Sequence, residues 1–316
     1  MNNYEIVIDS SCDLTLELRK RFFIYEDYIR CIVYLPGGEI KADLDWNNIP
    51  SSDFYKIVKS KVGQVKTAFA TYEEFVRVIE PILKNKQDVM IFTISSGLSG
   101  SSNAYNNYKE MLLEDYPDRK IEVIDTLKYS CAGGLLAIEC AKNRNDGMTI
   151  EENTKWVNEK RFCLREMGIL DDLRFLAKNG RIAASKAFFG TLVGVQPLAD
   201  FTVDGKTMPL GTVKGAKKAD KFSIEYLMKT AVDIEDQIVF IAHSEREERA
   251  KIFKEQLLKV AKPKDVIIAN VGQCCGPNIG PGICTYFYFG SKISENHEIE
   301  NKLFKEICET LWTLYC

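Results

Sequence analysis

Apolar positions in the first half of the chain fall into short, nearly continuous runs, and each run ends in hydroxyl-bearing residues. Ile6-Val7-Ile8 leads into Asp9-Ser10-Ser11, ahead of a helical stretch over 14–20. Val89-Met90-Ile91-Phe92-Thr93-Ile94 leads into Ser95-Ser96-Gly97-Leu98-Ser99-Gly100-Ser101-Ser102, and a helix follows over 103–113. Ile121-Glu122-Val123-Ile124 leads into Asp125-Thr126, with a third helix opening near Ser130. Strands apolar on both faces, alternating with helices, predict an α/β domain whose parallel sheet is covered on both sides. Ligands of such sheets gather outside the carboxyl ends of the strands, where all three turns fall. Between the first two copies, 25–46 reads as a β excursion that turns at Leu35-Pro36-Gly37-Gly38.

After a break at 143–147 the pattern changes. Residues 149–160 read as a helix, 162–167 as a strand, and 170–178 as a helix closed by Asn179-Gly180 in a left-handed cap. A small apolar helix follows over 183–193, then a hairpin over 195–214 turning at Asp204-Gly205. Strands at 238–242, 266–271 and 283–289, with a helix over 245–261, complete a second, α+β domain with a mixed sheet. A chain of 316 residues is long for one core, and the expected division is 1–150 and 151–316. Apolar residues at 299, 303, 304, 307, 311 and 314 give the last segment one greasy helical face, which must dock on something.

Composition narrows the class. With 46% hydrophobic and 28% charged residues the chain has material for sizeable cores, and a net charge of −3 supplies no basic footprint for nucleic acid. Met1-Asn2-Asn3-Tyr4-Glu5 enters a strand without a basic or apolar leader, and no apolar run reaches bilayer length. The expectation is a cytoplasmic protein that is not integral to a membrane. Ten cysteines show no C-x-x-C spacing, and the one adjacent pair is Cys274-Cys275. They read as buried hydrophobes in a reducing compartment, with no metal site and no cofactor expected.

The chemistry concentrates in the serine loop. The first N–H groups of a helix lack intrahelical partners and favour negative charge, and serines add O–H donors. One hydroxyl would cap the helix, yet five of the eight residues from Ser95 to Ser102 are serine. The loop reads as a cradle for a carboxylate or phosphate; its plainer reading is a capping loop with turn glycines. An enzymatic reading needs a nucleophile elbow, G-x-S-x-G, but Gly97-Leu98-Ser99-Gly100 places its glycine one position early. His243, one of two histidines, is the candidate base for Ser99. The turn Gly276-Pro277-Asn278-Ile279-Gly280-Pro281-Gly282 is no nucleotide loop, though the Asn278 amide can donate to an anion. Arg181 stands between the Asn179-Gly180 cap and the apolar stretch 187–194. It is either a helix-flanking surface charge or the cation for a ligand with a charged head and an apolar tail.

In order along the chain these motifs resemble the DegV family, bacterial proteins that hold one fatty acid between two domains. The matches run from Val7-Ile8-Asp9-Ser10-Ser11-Cys12-Asp13-Leu14 through the serine loop and Val123-Ile124-Asp125-Thr126. They continue through 173–185, with Asn179-Gly180-Arg181-Ile182, then 190–198 and Gly280-Pro281-Gly282. The resemblance implies that Ser95, Ser96, Ser99 and Thr67 surround the fatty-acid carboxylate, with Arg181 and Asn278 at its polar end. It implies an acyl tail among Phe188, Phe189, Leu192 and Val193. Some family members present the bound acid to a separate ATP-binding kinase, and the position engaged there falls at Lys214. Three departures matter. Thr67-Ala68-Phe69-Ala70 replaces the family's Thr-Ser-Gln-Pro, Asn278 replaces a histidine, and Lys214 replaces an arginine. Fatty-acid binding therefore follows more directly than phosphoryl transfer. The alternatives are acyl hydrolysis by Ser99 and a different small anionic ligand.

Overall fold

Apolar strands and threonine-capped helices build the first half as their sequence dictates. The computed structural model describes residues 3–61, 64–170, 173–182 and 194–313. They divide into two compact units, 1–161 with 271–277, and 162–270 with 278–316.

The first unit runs β1 (Tyr4–Ile8), α1 (Leu16–Arg21), β2 (Ile32–Leu35), β3 (Gly38–Lys41), α2 (Ser51–Ser60) and β4 (Lys66–Ala68). It continues with α3 (Tyr72–Lys84), β5 (Asp88–Thr93), α4 (Ser101–Asp115), β6 (Ile121–Asp125), α5 (Cys131–Asn145) and α6 (Ile150–Lys160). β5 is the centre of a parallel sheet ordered β1-β5-β6, and the excursion forms an antiparallel sheet ordered β3-β2-β4. Alternate residues of the parallel strands face opposite ways. Val7, Val89, Ile91 and Ile121 pack with Phe75, Val78, Ile79, Tyr105 and Leu112 of α3 and α4. The other face meets α5 and α6. Thr15, Thr71 and Thr149 each accept an amide of the following first turn, and Thr149 with Glu152 forms a full capping box. Helix α6 packs on α5 and β6. The division therefore falls after Arg161 rather than near 150, because a composition break does not reveal where a helix docks.

The second unit contains β7 (Leu164–Leu170), α7 (Leu173–Lys178), β8 (Val195–Phe201), β9 (Thr207–Lys214), α8 (Ala216–Thr230) and β10 (Ile238–His243). Then come α9 (Glu247–Val260), β11 (Asp265–Asn270), the single turn α10 (Gly276–Ile279) that straddles the division, β12 (Ile283–Phe289) and α11 (Glu298–Thr313). Its six-stranded mixed sheet is ordered β11-β10-β12-β7-β8-β9, with only β10 and β11 parallel. Met167, Ile169, Leu198, Val239, Ile241, Tyr286 and Tyr288 meet α8, α9 and α11 on one face. The last helix docks on α8 and β9: the Phe304 ring occupies the space a side chain at Gly211 would need. The expected helix at 183–193 lies outside the described residues. Among the described residues no helix is long and apolar enough to cross a membrane.

Candidate functional site

Parallel pairing brings the carboxyl ends of β1, β5 and β6 to one end of the first unit's sheet. Ser95, directly beyond β5, is fully buried, and its amide donates to Lys128 O at 2.8 Å. Its carbonyl accepts from the Leu98 and Ser99 amides, both at 3.0 Å, and its Oγ accepts from the Gly97 amide at 3.0 Å. The Ser96 amide donates to Asp125 Oδ1 at 3.0 Å, and Ser99 Oγ accepts the Ser101 amide at 3.3 Å. A strand-to-helix junction of this kind is expected to leave free amides near Gly97. The loop uses those of residues 96–99 and 101 in its own turns and on Asp125, while the amides of Gly100, Ser102 and Asn103 at the start of α4 have no hydrogen-bond partner among the described residues. What remains are these first amides of α4 and the hydroxyls. The Ser95 proton has no acceptor among the described residues, the Ser96 side chain is exposed, and Ser99 and Ser101 share one O–H bridge of 2.8 Å. Such a set can hold an anion by O–H donation from a scaffold that is already hydrogen-bonded.

The flanking loops carry buried acids that the sequence argument left without a role. Asp9 accepts the Ser11 amide at 2.9 Å and the Ser11 hydroxyl; burial, opposed by these donors, pushes its carboxyl up to about 6. Asp13 takes the Ser130 hydroxyl on Oδ2, and burial pushes it up to about 7. Ser10 Oγ accepts the Cys31 amide at 3.0 Å and meets Cys31 Sγ at 2.8 Å. Thr126 Oγ1 donates to Thr93 O at 2.7 Å, tying the β6 loop to β5. Asp13, Leu127 and Ser130 have φ of +49°, +53° and +54°. Left-handed backbone at non-glycine residues costs of order 1–3 kcal/mol each and concentrates at functional sites. The available signal was an aspartate closing two of the three strand copies, Asp9 and Asp125.

Thr67 is half-buried in β4, paired with Val33, and the Phe69 ring lies against Gly100. The first unit thus brings the end of β4 beside the serine loop. Arg181 and Asn278 belong to the second unit. Arg181 Nη1 donates to Asn179 O beside the left-handed Gly180, whose φ of +68° matches the expected cap; Asn278 is half-buried in α10. Lys214 ends β9 and is exposed. Phe188, Phe189, Leu192 and Val193 lie outside the described residues. His243 is buried, which lowers its pKa, and its Nδ1 accepts the Arg246 amide at 3.3 Å. A neutral ring so bonded carries its proton on Nε2 and offers no lone pair there, which is the wrong tautomer for a base acting through that nitrogen. Among the described residues no cluster could hold a metal ion.

Comparison with known proteins adds a family. A family model described as "Uncharacterised protein, DegV family" matches residues 3–291. A DegV domain-containing protein of Clostridium perfringens is 30% identical over 291 residues, 92% of this chain and 98% of that relative. A crystal structure of a DegV family protein from Ruminococcus gnavus, refined with vaccenic acid, superposes with a TM-score of 0.79 at 21% identity, covering 91% of this chain and 100% of that one. DegV from Bacillus subtilis, described as a fatty acid binding protein, superposes with a TM-score of 0.77 at 24% identity over 92% of this chain and all of its own.

Proposed function

This chain belongs to the DegV family, and we propose that it binds one long-chain fatty acid with the carboxylate on the hydroxyls of Ser95, Ser96, Ser99 and Thr67. The observation that carries the reading is the serine loop: its turns are already hydrogen-bonded, and its unspent donors, hydroxyls and the first amides of α4, follow the carboxyl end of the central strand. The fatty acids named with the structural relatives supply the ligand class. Arg181 and Asn278 as head-group contacts, and Phe188, Phe189, Leu192 and Val193 as tail contacts, rest on family resemblance alone. So does presentation of the acid to an ATP-binding kinase through Lys214; the chain carries no P-loop motif to do that chemistry itself.

Magnitudes favour the tail for affinity and the hydroxyls for orientation. Burying about fifteen methylenes at roughly 0.8 kcal/mol each yields on the order of 12 kcal/mol gross. Association and ordering remove several kcal/mol, which leaves a micromolar-to-nanomolar ligand. The test is denaturing mass spectrometry of lipid extracted from purified protein, followed by titration with oleate. One acyl chain per protein is expected, and Ser95→Ala should weaken oleate binding about tenfold, one charge-assisted hydrogen bond. Repeated absence of acyl species, together with no uptake of oleate, overturns the reading.

A further inference from the structure

Asp13 is the buried group that the fatty-acid reading leaves unused. It is only 5% exposed, and one oxygen takes the Ser130 hydroxyl. The other, Oδ1, lies so close to Gly272 that a Cβ there would stand 2.2 Å away, and it has no hydrogen-bond partner that meets ordinary geometry. Neither Asp13 nor the equally buried Asp9 has an ion-pair partner among the described residues. The groups facing Asp13 come from three segments. They are Asp9 beyond β1, Ser130 and Cys131 at the start of α5, and Gly272 with Cys275 in the 271–277 segment; Cys12 adjoins it in sequence. Burial raises all three thiols, so they stay neutral and offer no countercharge. A carboxylate enclosed this way, with the Ser130 hydroxyl and an ill-aligned Gly272 amide as its donors, a second acid nearby and no ion-pair partner among the described residues, is costly to ionise.

Its placement couples it to the serine loop. Ser130 ends the turn whose Lys128 carbonyl holds the Ser95 amide, and both Asp13 and Ser130 sit in left-handed backbone. Resting on the fatty-acid reading above, we propose that Asp13 is a proton-holding positioning residue for the head-group site, so that fatty-acid affinity falls as the solution is raised through neutrality. Two effects act in the same direction. An anionic head group at the serine loop disfavours a second negative charge behind it, so binding draws a proton onto Asp13. Ionised Asp13 also repels Asp9 beyond β1, and the Ser130 hydroxyl, which favours the ionised form, only partly offsets this and the burial.

The experiment is oleate binding below its micellar concentration, at about pH 6 and about pH 9, to the full chain and to Asp13→Asn. The full chain should bind about tenfold more weakly at the higher pH, and the isosteric, non-titrating asparagine should reduce that ratio to near one. A second measurement needs no variant. Calorimetric titration of the unaltered protein with oleate, in two buffers of different ionisation enthalpy near pH 7.5, should show net proton uptake. Equal pH ratios for the two proteins, or no proton uptake, overturn the proposal. Failure to bind oleate at any pH would instead remove the fatty-acid reading, and this inference with it.

Discussion

Single residues decide the electrostatics of the strand-end cluster. Asp9 and Asp13 have folded pKa values of about 6 and about 7, above the ordinary carboxyl value of 3.8, and burial is the main cause. An acid raised in this way binds more protons folded than unfolded, so its contribution to stability is lost progressively above the unfolded value. That loss is complete once the pH passes the folded one. Ligand-free Asp13→Asn should therefore gain stability relative to the parent as pH rises from about 4 to about 7, with a constant difference above that. Urea midpoints across this range measure it; a difference that does not change with pH would show that Asp13 stays ionised. Gly272 belongs to the same cluster for a different reason. It is required by proximity rather than by φ, since any side chain there would meet the Asp13 carboxyl. Nothing in a single sequence distinguishes that glycine from a turn glycine.

Secondary-structure elements were the most legible level, because periodicity is local. The hydroxyl-terminated strand copies became β1, β5 and β6, and the Asp204-Gly205 turn joins β8 to β9 as expected. The site was legible to the extent that hydroxyl excess marks a loop. It was illegible where backbone amides found acceptors far away in sequence, as Ser96 does in Asp125. The last helix shows both sides. Its apolar stripe predicted docking: Ile307 and Leu311 are buried and Leu303 and Phe304 pack against the same core, whereas Ile299 is exposed and residue 314 lies outside the described residues. Its polar anchor was invisible: Arg165 is enclosed and bonds Asp200 at 2.7 Å and Glu300 at 2.9 Å, three residues spread over 135 positions. Glu300 also accepts the Ser294 amide at 3.2 Å and the Ser294 hydroxyl. Glu300→Ala should cost about 3 kcal/mol, because it strips one of two countercharges from a buried guanidinium. Lys302→Ala, which removes only an exposed pair with Glu306, should cost under about 0.5 kcal/mol. Similar losses in the two variants, read by urea unfolding, would show that α11 is held by its apolar stripe alone.

At the scale of the whole molecule the chain crosses from one unit to the other more than once, which no composition break announces. After β11 it returns to the first unit for seven residues, Val271–Pro277. The return is fastened by polar contacts. Tyr55 donates to Val271 O at 2.7 Å, and Cys275 Sγ contacts Ser11 O at 3.5 Å. Gln273, almost wholly enclosed, uses both ends of its amide. Its oxygen accepts the Asp43 amide at 3.0 Å and Asn48 Nδ2 at 3.2 Å, and its nitrogen donates to Asn48 Oδ1 at 2.6 Å. The same short segment delivers Gly272 to Asp13, so fastening the return also fixes the environment of the buried acid. Gln273→Ala would leave the Asp43 amide and the Asn48 side chain without their partner, at a cost of about 1–3 kcal/mol. That loss should be regional rather than global, because the parallel sheet and its two helical layers keep all their contacts. Hydrogen exchange should therefore quicken at 43–48 and 271–277 in the variant while β1, β5 and β6 stay protected. Saturating oleate should restore part of the protection if the ligand rests on loops that share this anchor. Uniform acceleration across the first unit would instead mean that the return segment is integral to its core, and unchanged exchange at 43–48 would mean that Gln273 does not hold it.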